Sequence, residues 1–193
     1  TWEDKSGKQM KLEGKELKSS TDGQNWALVL DSQWEGSNGI WYKFDEELGL
    51  FKLGGVLPAG AVFPFDFGYV PSTLGGDGDP LDVLLLMDEP AFVGCLVAAR
   101  LIGVIEAEQT EDGETTRNDR LVGVATESHN HHSVRSLHKL SDNLVDEIEH
   151  FFISYNTIKG KKFKPLGRFG PMRAIKLVEE AMERFSQQQN APS

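Results

Sequence analysis

The chain has 193 residues, 39% of them hydrophobic and 26% charged, which is enough for one well-cored domain and short for two. Thirty acidic against twenty basic residues leave a formal net charge of −10; nucleic acid is not expected as a partner, because phosphate backbones are bound by broad basic surfaces. No apolar run approaches the ~20 residues needed to cross a bilayer, so no membrane partner is expected either.

The first 25 residues, opening "TWEDKSGKQMKLEGKELKSS", are polar and rich in Lys and Ser, and read as an irregular or strand-bearing arm, residues 1–25. They are too polar for a signal peptide, and the start at Thr1 leaves a removed leader open. From Trp26 the text changes: "WALVLDS", "GIWYKFDEELG", "LFKLGGVL", "AVFPFDFGYV", "PLDVLLLM", "GCLVAARLIGVIEAE" and "DRLVGVAT" are short apolar runs separated by Gly, Pro, Asn and Asp. That spacing predicts a small β-barrel or sandwich, antiparallel in the main. Asp-Gly within "TEDGET", residues 110 to 115, predicts a hairpin turn. Cys95, the single cysteine, cannot form an intrachain disulfide and reads as a buried free thiol. Trp26, Trp34 and Trp41 suit packing in the core or at a barrel rim better than a base-stacking platform.

After residue 133 the period changes from two to 3.6. Leu144, Val145, Ile148, Phe151, Phe152 and Tyr155 predict an amphipathic helix with Ser141 as N-cap. The preceding "ESHNHHSVRSLH" reads as a polar loop, since nothing completes a zinc ligand set around His129, His131 and His132. A second helix is predicted from Pro171, with Met172, Ile175, Val178, Met182 and Phe185 on one stripe. Between the helices the lysine-rich "IKGKKFKPLGRFG" reads as a solvated connection, and the chain ends in a polar tail, residues 188–193.

"GGDGDPLDVLLL", residues 75 to 86, places three carboxylates within six positions at the start of an apolar strand. Like charges repel and are costly to desolvate, so such crowding calls for a compensating cation. Asp77 and Asp79 share a face in extended backbone, Pro80 fixes the chain, and Asp82 enters the strand on the face of Leu84. Hard oxygen ligands around one point suit Mg²⁺ or Mn²⁺. The EF-hand is excluded, because the sixth loop position counted from Asp77 is Asp82 where Gly is required. The competing reading is an acidic surface turn.

"FPFDFGYVPSTLGGDGDPLDVLLL" resembles the soluble family I inorganic pyrophosphatases, and the likeness extends through "LIGVIEAEQTEDGETTRNDRLVGVA", "DEIEHFFISY" and "KGKKFKPLGRFG", about residues 26–187. The resemblance implies a mainly β protein with α, a small five-stranded OB-like β-barrel with two principal C-terminal helices packed outside. It implies Mg²⁺-dependent hydrolysis of pyrophosphate by a metal-activated water, with Mn²⁺ as a substitute. Asp77, Asp79, Asp82 and Asp112 would be metal ligands, with Asp79 also the general base. Arg120, Tyr155 and Lys43 would contact the phosphorylated substrate. It further implies a cytoplasmic homo-oligomer.

The chain also departs from the pattern. Trp41, Tyr42 and Lys43 stand where the family has Lys-Tyr-Glu, Gly55 where it has Arg, and Phe63 and Phe67 where it has Tyr. Asn118, Arg120 and Asn156 stand for Asp, Lys and Lys, and Asp119 would replace the Asp at 118 only through a bulge. Lost electrostatic contacts predict reduced efficiency on pyrophosphate, with Lys43, Arg117, Arg120 and the run Lys159, Lys161, Lys162 and Lys164 as candidate compensating cations. The alternatives are a degenerate relative serving as a metal-binding or structural module, and a hydrolase of a different phosphorylated substrate.

Overall fold

Strand β8 (Leu96–Glu111) is 16 residues long, and the sheet is organised around it. The computed structural model describes residues 2–3, 9–10, 25–32, 40–45 and 48–190. Of the arm assigned to residues 1–25, these include two short paired strands, β1 (Trp2–Glu3) and β2 (Gln9–Met10), and Asn25. Trp34 and residues 191–193 lie outside the described residues.

Five strands close a ring. β3 (Asn25–Ser32) pairs with β6 (Asp66–Val70), β6 with β7 (Leu81–Leu86), β7 with β10 (Arg120–Ala125), β10 with β8, and β8 again with β3. This is the five-stranded barrel expected from the resemblance, with one correction: β7 and β10 run parallel. Their side chains alternate between two hydrophobic clusters. Val83, Leu85 and Leu121 join one with Ala174, Leu177 and Val178, while Leu84, Leu86, Val122 and Val124 join another with Val145, Ile148 and Phe152. Both faces are covered, which is why "LDVLLL" and "RLVGVA" read as nearly unbroken apolar runs.

Outside the ring, β4 (Ile40–Asp45) and β5 (Leu50–Val56) form a hairpin that continues from β3, and β9 (Glu114–Arg117) folds back on β8. The β8–β9 turn is Asp112-Gly113, with φ of 50° and 87°, the left-handed pair that a tight hairpin needs. Helix α1 (Asp142–Ile158) begins where the periodicity places it, and the Ser141 hydroxyl accepts the Leu144 N–H at 3.3 Å. Helix α2 (Pro171–Gln189) begins with proline in its first turn. It extends through residues 188 and 189 of the stretch read as a polar tail.

Two details differ from the sequence expectation. "KFKPLGRF" is strand β11 (Lys162–Phe169), paired antiparallel with β8. It is an edge strand, so its lysines face solvent while Phe163 is buried, and Pro165 sits at a register shift where its missing N–H is tolerated. On α2 the buried stripe is Ala174, Leu177, Val178 and Ala181, and Met172 is 76% exposed. The periodicity was correct to about one position, and small alanines allow the helix to approach the barrel.

At Gly103, β8 is closely approached by the Phe169 backbone and by Leu137. A Cβ there would lie 2.4 Å from the Phe169 carbonyl and 2.6 Å from Leu137 Cβ. Gly103→Ala is expected to destabilise the fold by about 1–3 kcal/mol, read as a lower urea midpoint with an unchanged denaturant slope.

Candidate active site

The acidic loop is tied down at both ends. The Thr73 hydroxyl donates to the Val70 carbonyl at 2.6 Å and accepts the Leu81 N–H at 2.9 Å. The Gly75 N–H donates to the Asp79 carbonyl at 2.7 Å, and Gly78 takes φ of 89°. Helix α2 anchors the entry: the Leu74 N–H donates to the Ala181 carbonyl, and Arg184 Nε donates to the Leu74 carbonyl at 2.9 Å. A cleft of about 380 Å³ lies between loop and helix, its lining including Asp77, Asp82, Asn118, Arg117 and Arg173.

Asp82 is the fixed member of the trio. In the parallel register Leu121 is opposite Val83, which makes Arg120 the neighbour of Asp82, and Arg120 Nη1 lies 2.6 Å from Asp82 Oδ2. Nη1 also donates to Asn118 Oδ1 and to the Asp119 carbonyl. The guanidinium is buried over Phe67, Phe152 and Phe163, 5.0 to 5.9 Å from the ring centroids. Burial pushes the Asp82 carboxyl up to about 6; Arg120 opposes the shift, and Asp77 and Asp79 add to it. Asp77 is likewise raised, by burial first, although the Asp79 N–H bonded to its Oδ1 at 3.2 Å lowers it. Asp79 points outward, and Lys43 Nζ approaches its Oδ1 to 3.7 Å.

Aromatic side chains complete the rim. Phe63 stacks on Phe67 at 5.4 Å and meets Tyr155 at 6.2 Å, and Tyr155 stacks on Phe151 at 5.9 Å. Lys159, at the end of α1, donates to the Tyr155 hydroxyl and sits 4.6 Å over the Trp41 ring. Trp41 and Lys43 are two apart on β4 and share a face. The indole covers Gly54 and Gly55, where an added Cβ would come within 2.2 and 2.6 Å of it.

The structure therefore brings Asp77, Asp79, Asp82, Arg120, Lys43 and Tyr155 onto one chain of contacts. Asp112 lies apart, at the hairpin turn, with four paired rungs between it and Asn118, about 13 Å of strand. Asp119 does not stand in for the missing carboxylate at 118: its Oδ1 accepts the Ala107 N–H at 2.9 Å and Arg117 Nη2 at 2.8 Å. Asn156 is buried and donates to the Phe152 carbonyl.

Sequence reasoning missed Glu106. It accepts Arg173 Nε at 2.5 Å on one oxygen and pairs with Arg117 at 2.7 Å on the other, joining β8, β9 and α2 behind the acidic loop. Burial raises its carboxyl, but the two guanidinium groups prevail and hold it below the ordinary range. A carboxylate depressed on folding adds stability above its unfolded pKa and loses it as pH falls through the folded one. Glu106→Gln is expected to cost about 1.5–3 kcal/mol at pH 7, with the gap from the native chain narrowing below the ordinary carboxylate range, as read from urea midpoints across pH.

Five strands closed into a ring, with carboxylates and cations gathered at one end, place the chain in the class of small OB-like β-barrels, and comparison with known proteins narrows it. The family model described as inorganic pyrophosphatase matches residues 35–186. The inorganic pyrophosphatase of Geobacillus stearothermophilus is 37% identical over 147 residues, 76% of this chain and 87% of that one. The solved Helicobacter pylori enzyme superposes with a TM-score of 0.78 at 31% identity, covering 88% and 98% of the two chains. The Thermus thermophilus structure gives 0.79 at 29%, covering 89% and 98%. The chain belongs to the inorganic pyrophosphatase family.

Proposed function

We propose that the chain hydrolyses inorganic pyrophosphate to two phosphates at the barrel end where Asp77, Asp79 and Asp82 meet Lys43 and Arg120. The observation that supports this best is the grouping itself: Asp77, Asp79 and Asp82 lie on one short loop and the strand it enters, with Lys43 against Asp79 and Arg120 against Asp82, where burial and mutual repulsion work against their charges. A site that disfavours its own negative charges in this way attracts cations.

The donor chemistry fits magnesium, with manganese as a substitute: hard carboxylate oxygens on one short loop and the adjoining strand. Among the described residues no three carboxylate, imidazole or thiol groups are gathered closely enough to hold a metal as they stand. Asp82 is engaged by Arg120, and Asp77 by the loop backbone. Asp77, Asp79 and Asp82 would hold the ion, with Asp112 outside the set. When bound, magnesium neutralises phosphoryl oxygens and lowers the pKa of a coordinated water.

The chain's own residues supply the rest. Asp79, whose side chain is 67% exposed, accepts a proton from the attacking water as the water oxygen bonds to phosphorus. The bridging P–O bond breaks, and its electron pair leaves with the second phosphate. Lys43 stands beside Asp79 and meets the substrate's negative charge. Arg120 keeps Asp82 pointed at the site, and the Tyr155 hydroxyl marks the opposite rim. No helix among the described residues is long and apolar enough to cross a membrane, and the family relationship supports a cytoplasmic enzyme. The family relationship supports assembly as a homo-oligomer.

Phosphate release from pyrophosphate with magnesium tests the reading. Chelation by EDTA is expected to abolish it, and Asp79→Asn to lower kcat by about 10²–10⁴-fold without loss of fold. Equal turnover by the variant would remove Asp79 as the base, and no release by the native chain would overturn the activity.

A further inference from the structure

Lys159 is placed unlike an ordinary lysine at a helix end. Such a residue usually extends its hydrated ammonium into water near the last carbonyls. Here the stem folds back. Nζ donates to the Tyr155 hydroxyl and lies 4.3 Å from the Tyr155 ring centroid and 4.6 Å from that of Trp41. Ordering a lysine costs rotamer freedom, and two cation–π contacts offset it. Lys159 forms no ion pair with a carboxylate among the described residues, because the nearby Glu111 is taken by Lys161 at 2.7 Å. Burial, and then Lys161, hold the ammonium below the usual lysine range. One of its three N–H donors is engaged, leaving two for an acceptor.

The contacts around the barrel end form a closed circuit that includes this group. Asp79 meets Lys43, and Lys43 shares a strand face with Trp41. Trp41 carries Lys159, Lys159 bonds Tyr155, and Tyr155 meets Phe63. Phe63 stacks on Phe67, Phe67 lies under Arg120, and Arg120 pairs with Asp82 on the strand that the acidic loop enters. Trp41 and Lys43, two apart on β4, stand about 7 Å apart along the strand, so the ring that carries Lys159 is next to the lysine that meets Asp79. The platform is held in place because the indole fills the space over Gly54 and Gly55.

We propose that Lys159 is a phosphate-binding residue of this site, presented by Trp41 and Tyr155, and that it grips one phosphoryl group of the substrate and afterwards the phosphate product. The proposal rests on the pyrophosphatase reading for its substrate, but phosphate binding tests it independently of turnover.

The probe is inorganic phosphate, titrated calorimetrically in the presence of magnesium, alongside KM and kcat for pyrophosphate. Lys159→Gln is expected to weaken phosphate binding about tenfold or more and to raise KM more than it lowers kcat, while Lys159→Arg retains most of the affinity. Trp41→Ala, which leaves the lysine and Tyr155 in place but removes one of the two rings that present it, should weaken phosphate in the same direction. Lys164→Gln, exposed on the edge strand β11, is the control for general charge and should change little. Native affinity and KM in both Lys159→Gln and Trp41→Ala would overturn the assignment even if the chain hydrolyses pyrophosphate, and so would failure of the native chain to bind phosphate. Loss of phosphate affinity in both variants, with no turnover by the native chain, would uphold Lys159 and remove the activity.

Discussion

The ion pair between Arg120 and Asp82 is the contact on which the barrel end depends. Parallel pairing of β7 and β10 makes the two side chains neighbours one position before the first rung, and the guanidinium is roofed by three phenylalanine rings. A planar, weakly hydrated cation tolerates such a setting better than an ammonium does, and its fork can serve several acceptors at once. Without it, a half-buried carboxylate beside Asp77 and Asp79 would take up a proton or turn away. With it, Asp82 stays oriented, and Asn118 and the Asp119 carbonyl are drawn in as further acceptors. Phe67 and Phe152 thus act as more than packing, because they make a buried charge tenable.

Around that pair the chain distributes its positive charge in its own way. The resemblance implies cations at positions 41, 55 and 156, and the structure has an indole, no side chain and an inward-turned amide there. Lysines reach the rim from β4 and from the end of α1 instead. A protein with a net charge of −10 has to meet a multiply charged anion with local groups, since its general field repels one. A second set of pairs, Glu106 with Arg117 and Arg173, lies behind the loop and braces it.

Much of this was legible in the text because it follows from periodicity and turn chemistry. The strands, the Asp-Gly hairpin, the Ser141 cap and the Pro171 start are local signals that tertiary packing did not override. β11 was hidden because edge strands carry charged residues and tolerate proline, which makes them resemble loops. The acidic trio stood out by composition, and the resemblance gave Arg120 a role. Glu106 left no such mark, since its partners are 11 and 67 residues away in sequence and only the fold brings them together. Lys159 is one of four lysines that the sequence offers as compensating cations without separating them, and what distinguishes it is the ring it lies on.

The glycine pair beneath Trp41 has an implication for how this surface can change. Any residue with a Cβ at 54 or 55 would intrude on the indole by more than contact distance permits, so neither position can accept a side chain while the tryptophan stays as it is. Removing the tryptophan first would in turn leave Lys159 without its seat. A guanidinium on β5 at either position therefore requires the indole to move or be replaced. The order of substitution is constrained by sterics before selection on activity enters.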